Sequence, residues 1–313
     1  MNIVFLETDS LGEGLDLKRF EAYGNVTYYD ASTAEQTPER VKDADIVITN
    51  KIPMNEQTLG DSRVKLVCLT ATGSDNLDKP YLKQRGIEWH NVAGYSTEPV
   101  AQHTFALYFY LAEKLRTFDD FVKSGGYAES SRFTYYGRTP VELWNKTWGI
   151  IGMGTIGHRV AEIATAFGAK VVYYSTSGKN TEDRYEQVSL DELLAQSDTV
   201  SIHAPLNDVT EGMVDEAFLK KMKPTAYLIN VARGKVVNDQ ALADALEQGV
   251  IAGAGLDVVS REPILPDNPL LRIKDSERLI ITPHIGWASL EARKRLMQIV
   301  EQHVADYVGN PVK

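Results

Sequence analysis

Short apolar runs alternate with polar stretches of helical spacing along most of this chain. In the first hundred residues the runs fall at Ile3–Leu6, Val26–Tyr29, Ile46–Thr49, Leu66–Leu69 and Ile87–Asn91. Asp16–Tyr23 and Lys79–Arg85, between them, have helical spacing. Strands that alternate with helices in this way predict βα units and a parallel sheet. From Val100 to Arg116 a long apolar helix pattern follows Pro99, a residue tolerated at a helix start. Thr117–Leu143 is then irregular, aromatic and glycine-containing, and predicts a long arm whose aromatics need cover from a partner subunit or from their own chain.

The second half repeats the alternation. Strands are predicted at Thr147–Ile151, Val171–Tyr174, Thr199–His203, Ala226–Asn230, Gly253–Val258 and Leu279–Thr282. Helices fit His158–Phe167, Asp191–Ser197, Asp215–Met222 and Gln240–Gln248. The last helix, Leu290–Tyr307, is long enough to leave this group and pack back on the first.

Between the strand ending at Ile151 and the helix opening at His158 lies Gly-Met-Gly-Thr-Ile-Gly, Gly152 to Gly157. Strand, G-x-G-x-x-G and helix in that order form the dinucleotide-binding fingerprint. Gly152 permits a tight turn, Gly154 a close backbone approach to a pyrophosphate, and Gly157 close packing of helix on strand. The helix N-terminus then offers free amides and a partial positive charge to the phosphates. The fold class is therefore α/β with two doubly wound parallel-sheet domains. A flavodoxin-like substrate domain covers residues 1–98 and is completed by 288–313; a Rossmann nucleotide domain covers 99–287. The cleft between them is the expected active site.

Composition narrows the function. The chain has 313 residues, 43% hydrophobic and 24% charged, as in a globular protein with a real core. A net charge of −10 argues against nucleic acid as a partner. Cys68 is the single cysteine, so no intrachain disulfide forms, which fits a cytoplasmic location. The start reaches an acid at Glu7 and lacks a basic leader, and no apolar run spans a bilayer. No Walker loop or nucleophile elbow occurs, which argues against a P-loop protein and a serine hydrolase, and without C-x-x-C or H-E-x-x-H no metal is expected.

Three polar residues follow apolar strands of the nucleotide domain: Arg233 before Gly234, Glu262 before Pro263, and His284 before Ile285-Gly286. Each falls near the carboxyl end of its strand, where ligands bind in open α/β sheets. An arginine holds a carboxylate through two parallel hydrogen bonds. A histidine exchanges a proton near neutral pH, and a carboxylate beside it favours the charged ring. With a nicotinamide, the three suggest reduction of a 2-oxo acid to a 2-hydroxy acid. The other histidines, His90, His103, His158, His203 and His303, read as structural, with a second reading of His103 as a cleft residue.

Six stretches together resemble the D-isomer-specific 2-hydroxyacid dehydrogenases over nearly the full length. They are Ala71-Thr-Gly-Ser-Asp-Asn-Leu-Asp78, Gly152–Gly157, His203-Ala-Pro-Leu206, Asn230-Val-Ala-Arg-Gly234, Gly255-Leu-Asp-Val-Val-Ser-Arg-Glu-Pro263 and Thr282-Pro-His-Ile-Gly-Trp-Ala-Ser289. The resemblance implies that Arg233 binds the substrate carboxylate, that His284 donates the proton, and that Glu262 keeps His284 charged. It implies cofactor contacts at Gly152, Gly154, Thr155, Ile156, Gly157, Ser175, Ala204, Pro205, Val231, Ala232, Asp257 and Gly286. It also implies substrate contacts from the loop of Thr72, Gly73 and Ser74, and a homodimer built through the nucleotide domains.

Within that family, Thr49-Asn50-Lys51 and the Trp287 that follows His284 resemble the glycerate dehydrogenase or hydroxypyruvate reductase branch. Asn50 and Lys51 are then placed near a hydroxyl-bearing anionic substrate, and Trp287 on the pocket wall. The expected substrate is hydroxypyruvate or glyoxylate. Pyruvate or an aromatic 2-oxo acid is the alternative, and a dinucleotide-sensing corepressor-like protein a more distant one. A phosphite dehydrogenase is disfavoured, because that relative has a lysine where this chain has Thr72. The usual acid at the end of the second nucleotide-domain strand, which binds the adenosine ribose, is here Ser175, followed by Thr176, Ser177, Gly178 and Lys179. NAD and NADP therefore both stay open.

Overall fold

The computed structural model describes residues 1–179 and 183–309. Lys179, at the end of the cofactor stretch, is followed by Asn180–Glu182, which lie outside the described residues. The chain divides into two compact units, Met1–Ser96 with Ala288–Lys313, and Thr97–Trp287.

Unit 1 is built on five parallel strands, β1 (Asn2–Phe5), β2 (Asn25–Tyr28), β3 (Ile46–Thr49), β4 (Leu66–Leu69) and β5 (Glu88–His90), in the order β2-β1-β3-β4-β5. That is the flavodoxin-like order, with its topological switch between β1 and β3. β3 and β4 are buried at every position, as strands covered on both faces must be. The edge strand β2 is largely exposed, and the other edge, β5, is only partly buried. Helices α1 (Thr37–Val41), α2 (Glu56–Leu59) and α3 (Lys79–Arg85) join the strands, and α10 (Leu290–Val308) packs against β4. Ser289 caps α10 through the Ala292 amide, and Arg293 ties it to the Leu11 and Glu13 carbonyls, each at 2.7 Å. The predicted helix at Asp16–Tyr23 is a 3-10 helix over Leu17–Tyr23.

Unit 2 has seven parallel strands: β6 (Thr147–Ile151), β7 (Lys170–Tyr174), β8 (Glu186–Gln187), β9 (Thr199–Ile202), β10 (Tyr227–Asn230), β11 (Gly253–Leu256) and β12 (Leu279–Ile281). Their order, β12-β11-β10-β9-β6-β7-β8, is the doubly wound nucleotide-binding order with one strand added. Six strands were expected. The seventh, β8, is a two-residue polar edge strand with no apolar run to announce it, and so short an edge offers little for another chain to pair with. Helices α6 (Thr155–Ala166), α7 (Leu190–Gln196), α8 (Glu216–Lys221) and α9 (Asp239–Gln248) link the strands.

The long helix predicted to run to Arg116 is two. α4 (Thr97–Ala112) ends before Lys114, whose left-handed φ of 54° turns the chain, and α5 (Leu115–Lys123) follows. Part of the expected arm is thus helical. Tyr135 folds back and stacks on Phe121 with ring centroids 3.8 Å apart, whereas Phe133 is 91% exposed and Tyr136 74%. α4 carries Phe105 and Tyr108 onto Trp148 of β6 and packs against β10, β11 and β12, so its His103 is held at the strand ends that bear the chemistry. Among the described residues no helix is long and apolar enough to cross a membrane.

Candidate active site

The glycine loop has the shape its sequence requires. Gly152 sits at φ 95°, and a Cβ there would lie 2.7 Å from the Ala204 amide nitrogen. A Cβ on Gly157 would lie 2.3 Å from the Gly152 carbonyl oxygen, so α6 starts tight against the turn. Gly154 is different: nothing stands within 4 Å of the Cβ it lacks. Its bareness serves no packing within the chain and leaves a backbone cradle at the N-terminus of the 12-residue α6, which Thr155 and Ile156 open. That is the form a pyrophosphate requires. Ala204, in the loop facing Gly152, is buried, and Pro205 beside it is exposed.

Ser175 follows β7 directly. It is 7% exposed, and its Oγ has no hydrogen-bond partner among the described residues. None of Ser175–Lys179 is an acid, so this strand end offers a hydroxyl where a carboxylate would meet a ribose.

Arg233, Glu262 and His284 come after β10, β11 and β12, three neighbouring strands. Asn230 shapes the first loop: its side chain accepts from the Ala232 amide and donates to the Arg233 carbonyl, both at 3.0 Å. The Arg233 guanidinium donates to the Ala232 carbonyl at 2.9 Å. A Cβ on Gly234 would lie 1.8 Å from the Val259 carbonyl oxygen, so the Arg233 and Glu262 loops touch backbone to backbone.

His284 Nδ1 lies 2.7 Å from Glu262 Oε2, while Glu262 Oε1 accepts from the Val259 amide at 3.3 Å. Both side chains keep about a third of their surface, so the pair is reachable by substrate. With Nδ1–H directed at the carboxylate, Nε2 is left to face a ligand. The Glu262–Pro263 peptide is cis.

Asp257, 3% exposed, organises the His284 loop. Its Oδ1 accepts from Thr282 Oγ1 at 2.6 Å and the Ile285 amide at 2.8 Å, and its Oδ2 from the Gly286 amide at 2.8 Å. His103 Nε2 of α4 lies 2.9 Å from Thr282 Oγ1 and 3.3 Å from Asp257 Oδ1. Since Thr282 spends its proton on Asp257, His103 supplies the next proton in the chain. Burial alone would push the Asp257 carboxyl up, but hydrogen bonds from His103, Thr282, Gly286 and Ile285 outweigh it and hold it below the usual carboxylate range. Sequence reasoning singled out Asp257 but not Thr282. Only the three-dimensional pairing of α4 with β12, 179 positions apart, brings His103 to Thr282.

Val231 is buried and Ala232 half-buried beyond β10, and Trp287 packs against the cluster formed by α4, β6 and α6. In unit 1, Asn50 is 7% exposed and Lys51 is exposed. Thr72 donates its hydroxyl to the Val92 carbonyl at 2.9 Å. The amides of Thr72, Gly73 and Ser74 have no acceptor among the described residues.

A parallel sheet ordered for a dinucleotide, a bare glycine cradle and a carboxylate-backed histidine define a nicotinamide-dependent oxidoreductase. The chain belongs to the D-isomer specific 2-hydroxyacid dehydrogenase family, whose NAD-binding-domain model matches residues 105–286. It is 39% identical to a hydroxypyruvate reductase of Blautia hydrogenotrophica over 100% of this chain and 98% of that one. It is 36% identical to a glycerate dehydrogenase of Methylorubrum extorquens, over 99% and 97%. The acyclic imino acid reductase Bsp5, solved with NADPH and D-Arg, superimposes with a TM-score of 0.87 at 32% identity, covering 100% of this chain and 99% of that one.

Proposed function

We propose that this protein reduces a small 2-oxo acid, hydroxypyruvate or glyoxylate, to the D-2-hydroxy acid. The observation that carries this reading is the 2.7 Å contact between His284 and Glu262 at the ends of adjacent strands. The Glu262 carboxylate accepts from Nδ1 and fixes the ring, and Nε2 of the imidazolium then donates its proton to the substrate carbonyl oxygen. Arg233 holds the substrate carboxylate with paired N–H donors and draws charge toward the carbonyl. The amides of Thr72, Gly73 and Ser74, without an acceptor among the described residues, suit a carboxylate, and Asn50 and Lys51 suit a hydroxyl-bearing substrate. A nicotinamide, when bound, supplies the hydride to the carbonyl carbon. The glycine cradle, Ala204, Pro205, Val231 and Ala232 are the proposed dinucleotide contacts, and Ser175 at the end of β7, in place of an acid, admits either NADH or NADPH.

The relatives' names and the Asn50-Lys51 and Trp287 positions support this substrate choice. The exposed Phe133 and Tyr136 support a homodimer, which sedimentation of the pure protein tests. The single cysteine supports a cytoplasmic setting. Hydroxypyruvate-dependent oxidation of NADH and of NADPH, run side by side, tests the central proposal. Fast turnover with either carries it. Tight cofactor binding without turnover of any 2-oxo acid replaces it with a dinucleotide sensor.

A further inference from the structure

Glu7, just beyond β1, places its carboxylate among the backbone amides of the segment that follows β3. Glu7 Oε2 accepts from Thr49 Oγ1 at 2.6 Å, the Asn50 amide at 2.8 Å, the Lys51 amide at 3.0 Å and the Ile52 amide at 3.4 Å. Successive amides converging on one point form an anion nest. Here it lies at the β1/β3 switch of unit 1, where an open α/β sheet ordinarily receives a ligand. The chain fills it with its own carboxylate.

The same segment is pinned from the β4 side. Asn76 Nδ2 donates to the Ile52 carbonyl at 2.8 Å and to the Asn50 carbonyl at 3.4 Å, and its own carbonyl accepts from the Met54 amide at 2.9 Å. Glu7 therefore engages the amides of Asn50–Ile52 while Asn76 engages their carbonyls. Between these two clamps the backbone has little freedom, and Lys51 is presented outward while Asn50 is tucked in. Without the Glu7 carboxylate, three amides lose their charged acceptor and the segment is held from one side only.

We propose that Glu7 is a positioning residue for the substrate-binding segment Asn50–Lys51, acting as a built-in anion in a nest that accepts a free small carboxylate when the side chain is cut back. The link to substrate rests on the function proposed above; the nest itself does not. In Glu7→Ala the KM for hydroxypyruvate should rise about tenfold, the scale of charge-assisted hydrogen bonds lost, while kcat stays within about threefold because His284 and Glu262 are untouched. Sodium acetate at about 0.1 M, against chloride of equal ionic strength, should lower the ratio of that KM to the wild-type KM and raise the melting temperature of Glu7→Ala by more than that of wild type, in which acetate meets the substrate site alone. A structural role alone would show no such difference.

An unchanged KM in Glu7→Ala overturns the positioning role. A raised KM whose ratio to wild type acetate leaves alone, with no acetate-dependent rise in melting temperature beyond that of wild type, overturns the nest. If wild type fails to reduce hydroxypyruvate, the substrate assignment fails instead, and the melting shift still decides the nest. Should Glu7→Ala not fold, Glu7→Gln keeps the shape but turns one acceptor into a donor. Its KM should rise with no response to acetate beyond that of wild type, and an unchanged KM there counts against the proposal.

Discussion

Asp257 fixes the backbone around His284 without touching its ring. The His284 amide donates to the Asp257 carbonyl at 2.8 Å, and the next two amides donate to the Asp257 carboxylate. His284 is thereby kept at a left-handed φ of 55°, uncommon for a side-chain-bearing residue. The strain is sustained because four donors converge on one buried anion.

Asp257→Asn should therefore damage turnover more than its small change in shape suggests. Asparagine must present an NH2 where the carboxylate met either the Gly286 amide or the Thr282 hydroxyl and Ile285 amide, so donor faces donor. Leaving such buried groups unsatisfied costs about 1–3 kcal/mol. The melting temperature should fall by several degrees. The kcat should drop at least about tenfold as His284 loses its fixed geometry. Thr282→Val, which removes one donor and makes no new clash, should do the same more mildly. Wild-type kcat in both variants would remove Asp257 from this role.

Two glycines of the signature stretches should respond to alanine in opposite ways. Gly234→Ala puts a methyl 1.8 Å from the Val259 carbonyl oxygen, which belongs to backbone and cannot swing aside. The Arg233 and Glu262 loops must separate, so both stability and turnover should fall, turnover by more than about a hundredfold. Gly154→Ala meets nothing within 4 Å and should fold with an unchanged melting temperature. It should nevertheless bind dinucleotide at least about tenfold more weakly, because the methyl enters the cradle. Thermal melts and a cofactor titration separate the two. Undiminished cofactor affinity in Gly154→Ala would mean that the cradle is not used.

Acid should loosen unit 2 beside this loop. His203 Nδ1 is sealed from solvent with no partner among the described residues, and burial pushes the ring's pKa down to about 3. A histidine whose folded pKa is depressed contributes stability that is complete above its unfolded value, about 6.5, and is lost as pH falls toward 3. The neutral ring is then the native one, bonded through Nε2 to Ser201 Oγ at 2.9 Å. Lowering pH from about 8 to about 5 should destabilise wild type more than His203→Gln, which has no proton to take up. Parallel melting curves across that range would show His203 to be irrelevant.

The parts of the site that one strand, turn and helix create locally were legible in the chain. Gly152–Gly157 announces its turn because tight φ values and close approaches demand glycine. Arg233, Glu262 and His284 could be singled out because each follows a largely apolar strand segment and precedes a glycine or proline turn signal. What stayed hidden depends on pairing across the fold. His103 reads as structural, with a second reading as a cleft residue, and its bond to Thr282 emerges only when α4 is set on β12; Glu7 reads as an acid after the first strand until β1 lies beside β3. Strand β8 has no apolar alternation, since an edge of two exposed residues buries nothing. The break at Lys114 was invisible because helix-forming residues continue on both sides and only the left-handed turn between α4 and α5 separates them.

The residue after β7 should set the choice of dinucleotide. In this nucleotide-binding topology an acid there accepts from the two adenosine ribose hydroxyls and repels a 2′-phosphate. The chain has Ser175 instead, with its hydroxyl unpaired among the described residues and the residue 7% exposed. Ser175→Asp should therefore raise the KM for NADPH by about tenfold or more, while the KM for NADH holds or improves. The new carboxylate also loses hydration at this buried position, so the free variant should melt a few degrees below wild type. NADH, by offering hydroxyls to that carboxylate, should restore more of the lost stability than NADPH does. Coupled changes in the KM ratio and in cofactor-dependent melting are expected together, because both follow from one charge at one strand end. A KM ratio that does not move would place the adenosine ribose elsewhere and leave the cofactor preference of this chain to residues other than Ser175.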